Sequence, residues 1–107
     1  MEYKEIIDNL THKGTAFQMK GIIMCLDNHA DTPEVLDALY AMKSCKALAP
    51  LMRMPMRAYA MAVLDLFGAE PYRGNDPDVL YLISYLGEYM RIRENEKQSS
   101  VQQSDHI

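Results

Sequence analysis

The sequence has few of the features that mark secreted, membrane-spanning or disulfide-stabilised proteins. Its two cysteines, Cys25 and Cys45, are too few and too far apart to indicate a disulfide framework. No apolar run approaches the roughly 20 residues that cross a bilayer. Residues 1–5 (MEYKE) are charged and lack the apolar core of a signal peptide. We therefore expect a cytoplasmic protein that does not enter a membrane.

The sequence also lacks recognisable catalytic motifs. It has no glycine-rich phosphate-binding loop, no nucleophile elbow and no clustered carboxylate pair. Cys25 and His29 have the four-residue spacing of two metal ligands on a helix, and Cys45 could join them, but a second ligand pair is absent. We expect Cys25 to be a small buried side chain. The sequence thus predicts a non-enzyme without metal or cofactor.

Acidic residues are missing from one long segment of an acidic chain. The formal net charge is -4, yet no carboxylate side chain lies between Asp37 and Asp65. That segment holds four basic residues: Lys43, Lys46, Arg53 and Arg57. Such a distribution can steer an anionic partner toward one face. The alternative is four solvated side chains beside a turn in the core.

What the sequence does contain predicts an all-α protein of about five helices. With 107 residues, 49% apolar and 24% charged, it fits one soluble domain. Helical periodicity and start or stop residues place the helices at 2–12, 15–28, 33 to about 50, 55–67 and 75–95. Thr15 with Gln18 resembles a capping box, Thr32 and Asp76 each precede a proline, and Gly14 and Gly68 follow helices. We expect residues 1–95 to form the domain and residues 96–107 a polar, disordered tail.

Two segments repeat at a period typical of helical solenoids. Residues 32–36 (TPEVL) and 76–80 (DPDVL) are alike at a spacing of 44, and each follows an apolar helix with Leu-Asp near its end. Residues 56–64 (MRAYAMAVL) resemble the second helix of HEAT repeats. The resemblance covers roughly residues 17–90 and implies that the last four helices form two stacked helix–loop–helix units, HEAT-like or a compact bundle. Two repeats leave end faces uncovered, which favours a homodimer or a larger partner.

The leading candidate site is the basic, methionine-rich turn APLMRMPMRAYA at residues 49–60. Thioether side chains suit surfaces that accept varied apolar partners, and arginines bind carboxylates. We expect Met54 and Met56 to be exposed and Met42 and Met61 to be buried; the alternative is that the methionines fill an irregular core. The turn indicates an adaptor that binds an acidic or apolar protein surface. The predicted partner-binding residues are Lys43, Lys46, Met52, Arg53, Met54, Met56 and Arg57.

The same segment supports a second hypothesis, a nucleic-acid-binding regulator. Residues 48–59 are similar to the centre of a helix-turn-helix, in which a short turn precedes a recognition helix. Two departures weaken the match: Arg53 lies where that family usually has glycine, and Pro50 lies inside its first helix. The helix after Arg57 is also almost entirely apolar, which is typical of a buried helix.

A second candidate surface lies on the last helix. Tyr81, Tyr85 and Tyr89 are spaced by four and therefore share one edge of that helix. Tyrosine is common at interfaces because it offers apolar area with a hydroxyl that tolerates water. We expect this edge to mediate self-association, or alternatively to lie against the core.

Overall fold

The computed structural model describes residues 3–50 and 52–105, with the side chains described as far as Lys97. The chain forms five α-helices in the order α1 (Lys4–Leu10), α2 (Thr15–Asn28), α3 (Pro33–Met42), α4 (Met56–Leu66) and α5 (Pro77–Asp105). The all-α prediction is confirmed. No helix in the described part of the chain is long and apolar enough to cross a membrane.

The helix starts follow the sequence signals only in part. Asp76 caps α5, since its Oδ1 accepts a hydrogen bond from the backbone N–H of Asp78 at 2.9 Å. The capping box at Thr15 is wrong: Gly14 occupies the N-cap, and the Gln18 side chain donates instead to the carbonyl oxygen of His12 at 2.8 Å. Thr32 precedes α3 as expected, but its side chain makes no cap hydrogen bond.

The helix ends also differ from the prediction at several points. Gly68 follows α4 with φ 73°, in the left-handed conformation expected of a glycine stop. At the end of α2 that conformation belongs to His29, at φ 46°. The third helix ends at Met42, well before Pro50, and the backbone of α5 stays helical beyond Asn95. The division into a domain at 1–95 and a disordered tail stays a prediction.

Helix α4 is the centre of the core. It packs against α2, α3 and α5, while α1 packs on α2 and on α3. Three alanines let these neighbours approach it closely, and they are fully buried: Ala58, Ala60 and Ala62. Among the described residues α4 pairs closely with α5, whereas α2 and α3, the helices of the first expected helix–loop–helix unit, make no close backbone contact.

Helix α5 is also fixed to the end of α2 by polar contacts at Asp27. The Tyr89 hydroxyl donates a hydrogen bond to Asp27 Oδ1 at 2.7 Å, and Arg93 Nε lies 3.3 Å from the same oxygen. Lys97 Nζ donates to the Asp27 carbonyl oxygen at 2.7 Å. These contacts orient α5, so that one of its faces points away from the other helices.

Candidate functional site

The segment between α3 and α4 folds into a short hairpin. Leu48 and Pro55 form an isolated antiparallel bridge, the N–H of Ala49 donates to the carbonyl of Met54 at 2.8 Å, and the N–H of Met56 donates to the carbonyl of Ala47 at 2.8 Å. We call residues 48–55 the hairpin turn. Because it satisfies backbone groups on both of its arms, the hairpin turn has a defined shape.

The tip of the hairpin turn contains two non-glycine residues in the left-handed conformation. Met52 has φ 67° and Arg53 has φ 53°. For L-amino acids this conformation costs roughly 1–2 kcal/mol per residue, because Cβ approaches the following carbonyl oxygen. Both side chains are exposed, Met52 to 43%. The Tyr59 hydroxyl beneath the tip lies 3.8 Å from the Met52 sulfur and donates to it.

Two of the four basic residues of the segment are neutralised by carboxylates from later in the chain. Lys43 Nζ lies 2.5 Å from Glu70 Oε1, and an Arg57 guanidinium nitrogen lies 3.1 Å from Asp76 Oδ2. The four positive charges therefore do not form one unpaired basic patch, although the four residues are clustered along the sequence. Lys46 and Arg53 are exposed, and neither has a carboxylate within salt-bridge distance among the described residues.

The methionines divide between the surface and the core differently from the prediction. Met56 is fully buried, so the expectation that it is exposed is wrong. Its position at the first turn of the central helix α4 directs it into the core. Met54 and Met61 are half-buried against the core, and Met42 is buried as expected. Of the predicted methionine contacts, Met52 is the exposed one, and Met54 is partly accessible.

The tyrosine edge of α5, formed by Tyr81, Tyr85 and Tyr89, is also only partly exposed. Tyr81 and Tyr85 are 48% and 50% exposed, and their rings stack with centroids 5.9 Å apart. Tyr89 is half-buried because its hydroxyl bonds to Asp27. Beside the stacked pair lies a shallow depression of about 380 Å³. It is lined by Tyr81, Ser84, Tyr85, Glu88, Tyr89 and Ile92.

Glu88 and Ile92 of this surface were missed by the sequence reasoning. Ile92 is 45% exposed and follows Tyr81 and Tyr85 at the spacing that keeps one helical face. The spacing of Ile92 from Tyr81 and Tyr85 is visible in the sequence, although Ile92 is not a tyrosine. The Glu88 carboxylate pairs with Arg91 one turn later, and this bond lowers the pKa of Glu88.

The hairpin turn and the tyrosine edge are neighbours in space. Tyr59 of α4, only 2% exposed, contacts Met52 of the tip. Burial chiefly, with smaller effects of the nearby Tyr85 and Tyr81, raises the pKa of Tyr59. Tyr59 therefore lies beneath the tip and near the tyrosine edge.

The described residues do not show helix-turn-helix geometry at 48–59. Residues 43–50 and 52–55 are not helical, so no first helix precedes the turn in the described part of the chain. Most of α4, in the place of the recognition helix, is buried among other helices. Such a helix has no free face that could enter a DNA groove.

The described part of the chain contains no cluster of three or more His, Cys, Asp or Glu side chains that could hold a metal ion. Cys25 is fully buried, and burial raises the pKa of its thiol to about 12. A thiol in that state is a weak ligand and a weak nucleophile, because both roles need the thiolate.

In the described residues, the fold and the two surfaces define an all-α protein of five helices with exposed candidate contact areas. No protein-family model, no curated protein and no solved structure matches the chain. A functional conclusion therefore depends on the geometry alone.

Proposed function

We propose that this protein is a small helical interaction module that binds another protein through the tip of the hairpin turn. The observation that carries the proposal is the left-handed backbone at Met52 and Arg53. Non-glycine residues in this conformation persist only where the surrounding structure holds them, and they cluster at functional sites. Here the strained backbone presents two exposed side chains of the types that contact partners.

The chemistry of the tip favours a partner with an acidic and partly apolar surface. Arg53 and Lys46 supply positive charge, and Arg53 can bind a carboxylate through two parallel hydrogen bonds. Leu48 and Met52, both more than 40% exposed, supply apolar area beside those charges. Lys43 and Arg57 support the site indirectly, since they flank the hairpin turn and their ion pairs reach the segment between α4 and α5.

A nucleic-acid-binding regulator is the alternative, and it has less support. Only Lys46 and Arg53 of the four basic residues are left to contact phosphates, while non-specific binding to nucleic acid depends on many such contacts. The finer parts of the proposal are a HEAT-like arrangement and a cytoplasmic location. The close pairing of α4 with α5 supports the first, although α2 and α3 lack that pairing. The free thiols of Cys25 and Cys45 support the second.

The direct test places a photo-crosslinking amino acid at position 48 in the cells from which the chain comes, because Leu48 is 45% exposed beside the tip and Arg53 stays intact. A matched control carries the same group in place of Phe17 on α2, which is 50% exposed. We expect a discrete crosslinked protein from position 48 and not from position 17. The crosslink should disappear when Lys46→Glu is added, because that charge reversal repels an acidic partner. Identical products from both positions, or none from position 48, would overturn the proposal.

A second measurement separates the two functions. Fluorescence anisotropy of random double- and single-stranded nucleic acid is recorded over a salt series, for the wild type and for a Lys46→Glu/Arg53→Glu variant. Arg57 is left intact because a carboxylate there would face Asp76 and destabilise the fold. We expect no binding at moderate salt. Binding that falls steeply with salt and is lost in the variant would replace the interaction module with the regulator.

A further inference from the structure

Helix α5 carries two apolar faces, of which the other helices cover one. Its inner face is buried in the core through Val79, Leu82 and Leu86. On the other side a row of residues follows the helix at spacings of three and four, and none of the other described elements lines it. We call this row the α5 strip: Tyr81, Ser84, Tyr85, Glu88 and Ile92.

The α5 strip combines a projection and a recess. The stacked rings of Tyr81 and Tyr85 project, while the small Ser84 lies in the depression of about 380 Å³ beside them. A two-fold interface brings the same patch of both copies together, so each patch must fit itself. A patch with an adjacent projection and recess meets that requirement, because the rings of one copy can enter the depression of the other.

We propose that the α5 strip binds the α5 strip of a second copy of this chain, with the two helices antiparallel. A two-fold axis at the midpoint between Leu86 and Gly87 pairs four of the five residues of the strip with chemically suitable ones. Tyr81 then faces the partner's Ile92, an aromatic ring against an aliphatic side chain. Tyr85 faces the partner's Glu88, whose carboxylate accepts a hydrogen bond from the phenol.

A parallel arrangement of the two helices fits less well, because each residue of the strip would face the same residue of the second copy. Glu88 would then face the partner's Glu88, and like charges at an interface are unfavourable. The Glu88–Arg91 pair reduces this repulsion without removing the charge from the strip. Polar complementarity therefore selects the antiparallel orientation.

The area of the strip sets the expected strength. Tyrosine rings bury 150–250 Å² each when fully covered, so the half-exposed Tyr81 and Tyr85 with Ile92 supply on the order of 300 Å² per copy. A standard stable interface needs about 800 Å² per partner. Further contacts can form along α5, which spans 29 residues or about 43 Å. We expect a weak dimer with a dissociation constant in the micromolar range.

The dimer does not depend on the hairpin tip, and its test is independent of the proposed function. Sedimentation equilibrium of the purified full chain measures mass from about 1 to about 500 µM. The wild type should rise from 12.3 kDa toward twice that mass. Tyr85→Glu, which faces the partner's Glu88, should raise the dissociation constant at least about tenfold. Leu80→Glu is the control, since Leu80 is 48% exposed on the same helix but outside the strip.

Tyr85→Lys tests the orientation. In the antiparallel dimer the new ammonium faces the partner's Glu88, so this variant should stay dimeric while Tyr85→Glu dissociates. Tyr81→Glu, opposite the partner's Ile92, gives a second disruptive variant, and circular dichroism checks that each variant remains helical. A wild type that is monomeric at every concentration, or a Leu80→Glu effect as large as that of Tyr85→Glu, would overturn the proposal. Equal dissociation of Tyr85→Lys and Tyr85→Glu would overturn the antiparallel pairing.

Discussion

Replacing Arg53 tests the backbone strain on which the proposed function depends. Two variants, Arg53→Gly and Arg53→Ala, remove the same exposed side chain, and the wild-type side chain makes no ion pair with the described residues. The variants differ in the cost of φ 53°, which glycine adopts freely and alanine does not. Any stability difference between them therefore reports the left-handed conformation at the tip.

The expected stability difference between the two variants follows from two opposing contributions. Holding alanine in the left-handed region costs roughly 1–2 kcal/mol. Glycine avoids this cost but loses about 0.5–1 kcal/mol more conformational entropy on folding. We therefore expect Arg53→Gly to be more stable than Arg53→Ala by about 0.5–1 kcal/mol. For a domain of this size that difference moves the unfolding midpoint by a few degrees, roughly 4 °C per kcal/mol.

Urea unfolding followed by circular dichroism measures the two free energies. The two variants should share one m-value, since the change in exposed surface on unfolding is the same. If Arg53→Gly is no more stable than Arg53→Ala, the tip is not left-handed in solution and the main support for the binding proposal is lost. A Gly variant that is more stable, and that no longer captures the partner when the photo-crosslinking amino acid is at position 48, shows that the strain is kept for binding.

Two further predictions concern the core. Gly21→Ala should destabilise the fold by about 1–2 kcal/mol despite a gain in helix propensity of about 1 kcal/mol, because the new methyl lies 2.9 Å from the backbone nitrogen of Leu10. Gly87→Ala meets only the far end of the Leu66 side chain, Cδ2 at 3.3 Å, and should be neutral or stabilising; equal effects in urea unfolding would contradict the packing of α1 on α2. Burial raises the pKa of Cys25 from 9.0 to about 12, so the thiol loses its proton first in the unfolded chain and stability falls as pH rises from about 9 to about 12. Unfolding measured over that range should show a shallower fall in Cys25→Ala, and an unchanged slope would refute the burial of the thiol.

The sequence predicted the fold class because helical periodicity and caps are local signals. Asp76 before Pro77 marks the start of α5, and Gly68 marks the end of α4, since both effects depend on the backbone within a few residues. The third helix shows the limit of such signals. Pro50 set an outer bound for it, but the helix ends at Met42, where the chain turns into the hairpin. A two-residue bridge between Leu48 and Pro55 leaves no periodic pattern to detect.

The sequence predicted which segment holds the candidate site, but not which of its side chains are exposed and unpaired. Charge counted along the chain assigned four free cations to the turn, but Lys43 and Arg57 meet Glu70 and Asp76 after the chain returns along α4. These pairs are 27 and 19 residues apart in sequence, so they depend on how α4 and α5 pack. The same limit applies to Met56, which the composition of the turn placed at the surface and the start of the central helix places in the core.

The position of Tyr59 connects the two proposals, although each is tested separately. Its buried ring lies under the tip, and its hydroxyl reaches Met52, while Tyr81 and Tyr85 of the α5 strip lie close enough to influence its ionisation. If both surfaces are used, their occupants contact each other, compete for space or bind independently. Repeating the crosslink at position 48 with Tyr85→Glu decides between these cases. A shared assembly loses the crosslink, a competing one gains it, and independent binding leaves it unchanged.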